Sequence, residues 1–577
     1  MKVTDYIAAF WAEQGVDTIF GYQGSSIAHM IDSIARNEQI RFVETRHEQG
    51  AAFAASAYAK AGKELGVALA CSGPGALNLI TGVADAFYDS VPVVFITGQV
   101  SQKEMKRNLQ IRQYGFQETD IVNIVRPITK FSIRVENADD VPALLEKAVK
   151  FSLSGRPGPV LLDFPHNIQG SQIEVNCAPK NIINELNLQE GNVDGEAVSR
   201  TFEKLCRANR PVLLLGGGCH ISKATQKKLE LLGIPVVVSY RGKNSYDNKS
   251  TNYCGVVGVY GDRAANWCVK YSDYSLCLGT RLDGRQTAGE RLQLQEKELV
   301  TVVDVDRHEL DKLPDDYAKV EADAESFLID LLRIIEKSVY NWQRWLNCVC
   351  SWRSSYPIDE EYTLTDFVNP NMLFHKMGNS LCDYAAVTTD VGQNQIWANT
   401  SFAIGLNQRL LQSCGLGAMG YSLPAAVGAY YAGFKQVISI NGDGGFQMNI
   451  QELQTVQENK LPIKIFVLNN KSLGLIRDYQ DKALGSRRFG SVDGFGSPNY
   501  QQIAIAYDLN YVCLSDNKHI DDVIDLLDSD EAVLIEVLIS EESITAPEPT
   551  YGQSIMRQTP EITKEEWKKI EEQVSSI

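Results

Sequence analysis

Residues 435–472 read KQVISINGDGGFQMNIQELQTVQENKLPIKIFVLNNKS and constrain the fold more than any other stretch. A β-branched run, Val437 to Ile440, predicts a buried strand that stops at Asn441-Gly442-Asp443-Gly444-Gly445. A polar helix is expected through Gln451–Glu458, and a second strand, Ile463–Leu468, ends in Asn469-Asn470. In a parallel sheet both strand ends lie on one edge, where ligands bind. Asp443 and Asn470 would then face each other. One anionic and one neutral oxygen, with a backbone carbonyl, leave room for phosphate oxygens around a small hard cation such as Mg²⁺. Glycines let backbone approach a diphosphate, and the following helix offers free N–H groups. An isolated GDG also fits an ordinary strand–turn–helix; the pairing with NN on a second strand end favours the cation site.

The rest of the chain supplies three such α/β units. A length of 577 residues gives ample core for three or four domains. In the first unit, strands at Thr18–Phe20, Arg41–Val43, Val67–Ala70 and Val93–Thr97 alternate with helices at Ser26–Arg36, Ala51–Ala61 and Ala76–Ser90. That alternation predicts a parallel sheet covered on both faces. Pro211–Leu215, Ile234–Ser239, Tyr274–Leu278 and Leu299–Val305 continue the pattern in a second unit, and Ala385–Asp390 opens a third. The predicted fold class is α/β, three successive doubly wound parallel-sheet domains at 1–170, 190–337 and 369–546, with a tail at 547–577. The polar segment 171–190 reads as a linker, and 338–368 as a connector crossing the surface. The tail, Pro-rich and then charged, is expected to wrap a neighbouring surface.

Hydrophobic content of 44% and charged content of 22% suit a globular protein. A net charge of −17 argues against nucleic acid as a partner. Twelve cysteines without CxxC or other ligand-like spacing read as thiols in a reducing cytoplasm. MKVTDYIAAFWAEQG is interrupted by Asp5 and Glu13 and fits an amphipathic helix better than a signal peptide. No apolar run reaches membrane-spanning length. The expected location is therefore cytoplasmic.

In the first unit RFVET runs into Arg46-His47-Glu48-Gln49-Gly50, ahead of a helix of small residues. A carboxylate at such a junction can simply cap the helix. Together, however, RHEQGA and SGPGALN (72–78), with GDG and NN, resemble the thiamine-diphosphate (ThDP) enzymes. The resemblance spans nearly the whole chain and is closest to acetolactate (acetohydroxyacid) synthase catalytic subunits. GYQGSSI (21–27), FQET (116–119) and GRPGPVLLDFP (155–165) match in the first unit. DVGQNQIW (390–397), GLGAMGYSLPAAVGA (415–429), GDGGFQMNIQEL (442–453) and LNNKSLG (468–474) match in the third.

That resemblance implies site residues. Glu48 would hydrogen-bond the aminopyrimidine ring and promote the cofactor's deprotonation, the cofactor carrying the hard chemistry. Asp443, Asn470 and the carbonyl of Ser472 would bind the metal. Gln393 and Asn394 would lie at the diphosphate with Gly442, Gly444 and Gly445. The Gly417 carbonyl would receive the cofactor's amino group, and Met419 would prop it in a bent form, a role compatible with a core Met. Gln117 would sit near the reacting carbon, although a lone loop Gln is ordinarily solvated. In the family the two cofactor-binding domains come from different subunits, so a homodimer or a tetramer with inter-subunit sites is implied. Many relatives also have a regulatory subunit.

In the middle unit, Gly216-Gly217-Gly218, the segment 279–285 with Arg281, and Val303-Asp304-Val305-Asp306 resemble the flavin-binding parts of FAD-containing synthases. Arginine can neutralise a pyrophosphate and a strand-end carboxylate can take a ribose hydroxyl. Arg156 matches a further flavin contact. FAD is expected, in a structural role, against the alternative of a vestigial groove.

Three departures bear on the acceptor. GYQGSSI replaces the family's GYPGGA, which puts Gln23, Ser25 and Ser26 beside the substrate position. Tyr479 stands where a Trp commonly helps to select the second 2-oxo acid. Lys103, Lys106, Arg107 and Arg112 add a basic loop before FQET, either solvated or facing an anionic acceptor. The implied reaction is decarboxylative carboligation of pyruvate, with a second pyruvate giving 2-acetolactate. The alternatives are an aldehyde or ketone acceptor such as a sugar derivative, a 2-oxo acid decarboxylase or flavin-coupled oxidase, and a non-catalytic homologue.

Overall fold

The computed structural model describes all residues except 107–108, 175–177, 188–192, 289–298, 336–339, 363, 365 and 550–553. Arg107 of the basic loop thus lies outside the described residues. The first sheet contains β1 (Thr18–Gly21), β2 (Arg41–Glu44), β3 (Gly66–Ala70), β4 (Val93–Gln99), β5 (Phe131–Arg134) and β6 (Val160–Pro165), in the order β2-β1-β3-β4-β6-β5. The second contains β7 (Pro211–Leu215), β8 (Val236–Val238), β9 (Tyr253–Val256), β10 (Tyr274–Leu278), β11 (Val300–Asp304) and β12 (Ala318–Glu321). Its order is β12-β11-β10-β7-β8-β9. The third contains β13 (Ala385–Thr389), β14 (Arg409–Gln412), β15 (Gln436–Gly442), β16 (Lys464–Asn469), β17 (Asn510–Leu514) and β18 (Val533–Leu538). It runs β14-β13-β15-β16-β18-β17. Every pairing in the three six-stranded sheets is parallel, so the central strands are buried on both faces and read as continuous apolar runs.

The first and third units share a core. The helix Glu48–Lys60 is almost wholly buried because its side chains are small. It lies against the helix Ser422–Tyr431, where a Cβ at Gly428 would stand 2.1 Å from the Ala54 carbonyl oxygen. A Cβ at Gly82 would meet Ala52 at 2.2 Å. Only residues without side-chain bulk allow backbones this close.

The two connectors and the tail are more integrated than their polarity suggests. Within 171–190, Ile173, Ile182 and Ile183 are buried in the first unit, and the Gln14 side-chain carbonyl accepts from the Ile182 N–H at 2.8 Å. The segment after 338 forms a helix, Gln343–Ser355, that buries Trp345 and Trp352 in the middle unit. The tail also returns to the middle unit: helix Lys564–Ser575 buries Ile570 and Val574, and Trp567 packs edge-on to Trp267 at 5.6 Å. A few large apolar side chains set each path, although the intervening polar residues mask them in sequence. Among the described residues no helix is long and apolar enough to cross a membrane.

Candidate active site

At the carboxyl end of β15 the chain turns at Gly442 into the helix Asp443–Met448. Asp443 is buried; its carboxylate accepts from the Gly444 N–H at 2.9 Å and the Ser497 hydroxyl at 3.1 Å. Burial raises its pKa to about 6, against the opposing pull of those donors. A Cβ at Gly444 would lie 2.4 Å from Leu473, and one at Gly445 would lie 2.5 Å from Asp390, so neither turn position accommodates a side chain.

β16, hydrogen-bonded beside β15, delivers Asn470 to the same edge. The Asn470 amide nitrogen donates to Gln393 Oε1 and Ser543 Oγ, each at 3.1 Å, while its Oδ1 accepts from the Ser472 N–H at 3.3 Å. The turn between them is sharp: Lys471 has φ +51°, a left-handed conformation uncommon for a residue with a Cβ. Asn394 Oδ1 and Ser472 Oγ are buried without a hydrogen-bond partner among the described residues. Unsatisfied buried oxygens cost about 1–3 kcal/mol each, so both are open to a further partner.

Gln393 is held from behind. Its amide nitrogen donates to Asp478 at 2.9 Å and the Ser543 carbonyl at 2.7 Å, and Arg477 donates to both groups. These residues, with Ser497, carried no sequence signal, because they belong to scattered stretches that only the fold assembles. On the facing loop Gly417 has φ +69°, and Met419 reaches the turn, its Cε 3.5 Å from where a Gly444 Cβ would be.

In the first unit Glu48 begins its helix, but the cap is His47, whose Nδ1 accepts from the Gln49 N–H at 3.1 Å. The buried Glu48 carboxylate instead accepts from Asn78 Nδ2 at 2.9 Å. Gln117, at φ +64°, folds over Gly73, where a Cβ would meet its own Cβ at 2.8 Å. No hydrogen bond among the described residues joins Glu48 to Asp443, Asn470 or Ser472. The two halves are instead linked beside the site: Asn449 donates to Gln49 at 3.2 Å, and Glu452 accepts from the Arg46 N–H at 3.0 Å. Burial pushes the Glu452 pKa up to about 7.

Ser25 is exposed, whereas Ser26 is buried and its hydroxyl donates to Cys71 Sγ at 3.2 Å and accepts from the Ser72 N–H at 2.8 Å. Of the two hydroxyls expected to face substrate, then, Ser26 is engaged within the first unit. Tyr479 lies on the helix Gly474–Ala483 and is 53% exposed.

A cavity of about 640 Å³ lies where all three units meet. Gly217, Arg281 and Asp304 line it from the middle unit and Arg156 from the first. Gly216 sits just behind, packed so closely that a Cβ would stand 2.0 Å from the Gly279 carbonyl oxygen. Arg156 is paired with Asp306 at 3.0 Å and Glu309 at 2.7 Å, and Arg281 with Asp283 at 3.1 Å. Arg285, from the segment 279–285, also lines it, as do Arg241 and Arg409, which were not singled out from sequence, and Arg241 Nε is buried without a partner among the described residues. Burial beside arginines 241 and 409 lowers the His220 pKa to about 4.

Comparisons with known proteins agree with this geometry. Residues 1–124 match the N-terminal thiamine pyrophosphate (TPP)-binding domain of thiamine pyrophosphate enzymes, 198–331 their central domain, and 390–537 their C-terminal TPP-binding domain. The chain is 33% identical to the acetolactate synthase large subunit of Lactococcus lactis, over 93% of this chain and 92% of that one. It is 34% identical to the acetolactate synthase isozyme 2 large subunit of Escherichia coli, over 92% and 94% respectively. A probable acetolactate synthase large subunit of Methanocaldococcus jannaschii is 33% identical, over 88% and 86%. Parallel α/β units with a Gly-Asp-Gly-Gly turn at one sheet edge, and relatives this similar along most of their length, place the chain in the thiamine pyrophosphate enzyme family, among the acetolactate synthase large subunits.

Proposed function

We propose that this protein is a ThDP- and Mg²⁺-dependent carboligase that decarboxylates pyruvate and joins the remaining two-carbon unit to a second pyruvate, giving 2-acetolactate. The observation that carries the reading is the third-sheet edge, where Asp443 and Asn470 are buried at neighbouring strand ends and Asn394 Oδ1 and Ser472 Oγ have no hydrogen-bond partner among the described residues. Relatives of this length and similarity carry the acetolactate synthase name. Asp443, the Asn470 amide oxygen and the Ser472 carbonyl would hold Mg²⁺, a hard-oxygen set that suits the ion. Asn394 and Gln393 would stand at the diphosphate, beside Gly442, Gly444 and Gly445. When bound, ThDP supplies a carbanion and an electron sink. The protein's own part is orientation and proton handling. Glu48 Oε would hold a proton at the aminopyrimidine ring, the Gly417 carbonyl would accept from its amino group, and Met419 would set its bend. Gln117 would donate to or accept from the substrate oxygens.

Glu48 and Asp443 belong to different units with no direct polar contact, and large apolar side chains near these motifs are exposed: Leu77, Phe116, Leu416, Met448, Ile476 and Phe489. We read these as covered by a second copy, which completes each site in a dimer or a tetramer. The relatives are named large subunits, which supports a regulatory small subunit as a further partner. The domain limits 1–170, 190–337 and 369–546 remain our proposal. The three-unit cavity suits FAD in size and in its arginines, Arg241 Nε offering an unpaired donor to a pyrophosphate. Acetolactate formation involves no net redox change, so FAD would be structural.

The decisive experiment incubates the purified protein with labelled pyruvate, Mg²⁺ and ThDP, alone and with aldehyde, ketone or sugar acceptors, and identifies the products by mass. Labelled 2-acetolactate is expected. Absence of any new carbon–carbon bond from pyruvate would overturn the proposal, and free acetaldehyde as main product would indicate a decarboxylase.

A further inference from the structure

Three charged side chains, Lys60, Asp85 and Asp89, are buried where the first unit meets the third. Lys60 Nζ lies 3.3 Å from Asp85 and 2.8 Å from Asp89, donates to the Gln412 carbonyl at 2.9 Å, and stands 4.7 Å from the Tyr421 ring centroid. Burial alone would lower the lysine pKa, but the two aspartates outweigh it and raise it. A buried ion cluster of this kind contributes little net stability, because desolvation offsets the attraction. Its remaining side-chain hydrogen bonds run to one loop.

That loop, 413–420, has no helix or strand of its own. Asp89 accepts from the N–H groups of Cys414 at 3.2 Å and Gly415 at 2.7 Å. Asp85 accepts from the Ser413 hydroxyl, which in turn accepts from the Ala418 N–H at 2.8 Å. Asp390 takes the Gly420 N–H at 3.0 Å at the far end. Between these anchors lie Gly417, at φ +69°, and Met419. Two of the three anchoring aspartates, Asp85 and Asp89, therefore come from the first unit and one, Asp390, from the third.

We propose that Lys60, Asp85 and Asp89, acting through Ser413, are positioning residues for the aminopyrimidine end of ThDP: they set the loop that carries the Gly417 carbonyl and Met419. The proposal rests on the assignment of Gly417 and Met419 to that end of the cofactor. The diphosphate end is held elsewhere, by Asp443 and Asn394, and this separation supplies the test. Ser413→Ala and Asp89→Asn are compared with the unaltered protein for dissociation constants of ThDP and of inorganic diphosphate, both with Mg²⁺, by calorimetry. A loss of about tenfold in ThDP affinity is expected, of the size seen when supporting hydrogen bonds around a ligand site are removed, with diphosphate affinity unchanged. Unchanged ThDP affinity, or parallel losses for both ligands, would overturn the positioning role. If Asp89→Asn does not fold, Ser413→Ala, which removes one hydroxyl, decides alone. A Met419→Ala variant that binds ThDP like the unaltered protein would overturn the assignment beneath the proposal instead.

Discussion

Glu48 shows how much turns on a single residue's neighbours. In sequence its carboxylate could cap a helix, but His47 takes that position and leaves Glu48 buried against Asn78. Replacing Glu48 with Gln keeps size and packing and removes the ionisable proton. Carboligation should fall by about 10²-fold or more while the melting temperature stays within a few degrees. Unchanged product formation would refute the assignment. Asp163 makes a prediction about pH. It is buried on β6 beside Thr97 of β4, accepting from Thr97 Oγ1 at 2.8 Å and Gln99 Nε2 at 3.1 Å, and burial raises its pKa from 3.8 to about 7. The folded chain thus holds a proton that the unfolded chain releases. Its stabilising effect is complete below about pH 4 and is lost as pH rises through about 7, at most roughly 4 kcal/mol. Asp163→Asn should therefore flatten the decline in melting temperature across that window. Superimposable profiles would exclude it.

At the scale of elements, the small-residue helices are the joint on which the site depends. The alanine run of Glu48–Lys60 reads in sequence as a helix able to approach another surface, and the structure identifies that surface as Ser422–Tyr431. Gly428→Ala puts a methyl 2.1 Å from the Ala54 carbonyl oxygen and should cost about 1–3 kcal/mol by overpacking, measured by urea denaturation. Because the loop that carries Gly417 and Met419 runs directly into the helix Ser422–Tyr431, ThDP affinity should fall with it. A variant as stable as the parent would mean that the joint is more adaptable than its spacing indicates. The strand ends, by contrast, were legible directly. β15 runs to Gly442, two residues past the expected end at Ile440, and β16 to Asn469, one past Leu468, since apolar β-branched runs next to glycine and asparagine leave little alternative.

For the whole molecule, the question is which copy completes which site. If each site uses Glu48 of one subunit and Asp443 of another, inactive Glu48→Gln and Asp443→Asn proteins should complement when unfolded and refolded together. Random pairing of two subunit types makes half the dimers mixed, each with one intact site, so about one quarter of full activity should return. No recovery, with mixed dimers demonstrated by mass, would show that both halves of a site come from one chain.

By itself, the sequence determined the local features: the parallel α/β class, the strand ends at Asp443 and Asn470, the small-residue helix behind Glu48, and the resemblance that assigned them. These follow from periodicity and turn chemistry within short windows, where steric and hydrogen-bonding preferences act directly. Only the tertiary structure decided that 171–190, the segment around Trp345 and Trp352, and the tail all pack onto the units. A few buried side chains in polar surroundings have no local signature. It alone brought Gln393, Asn470, Asp478 and Ser543 together, engaged Ser26 internally, and set Lys60, Asp85 and Asp89 against the loop of Gly417. Those arrangements depend on contacts between residues up to hundreds of positions apart, and burial makes each one costly unless its partner is in place.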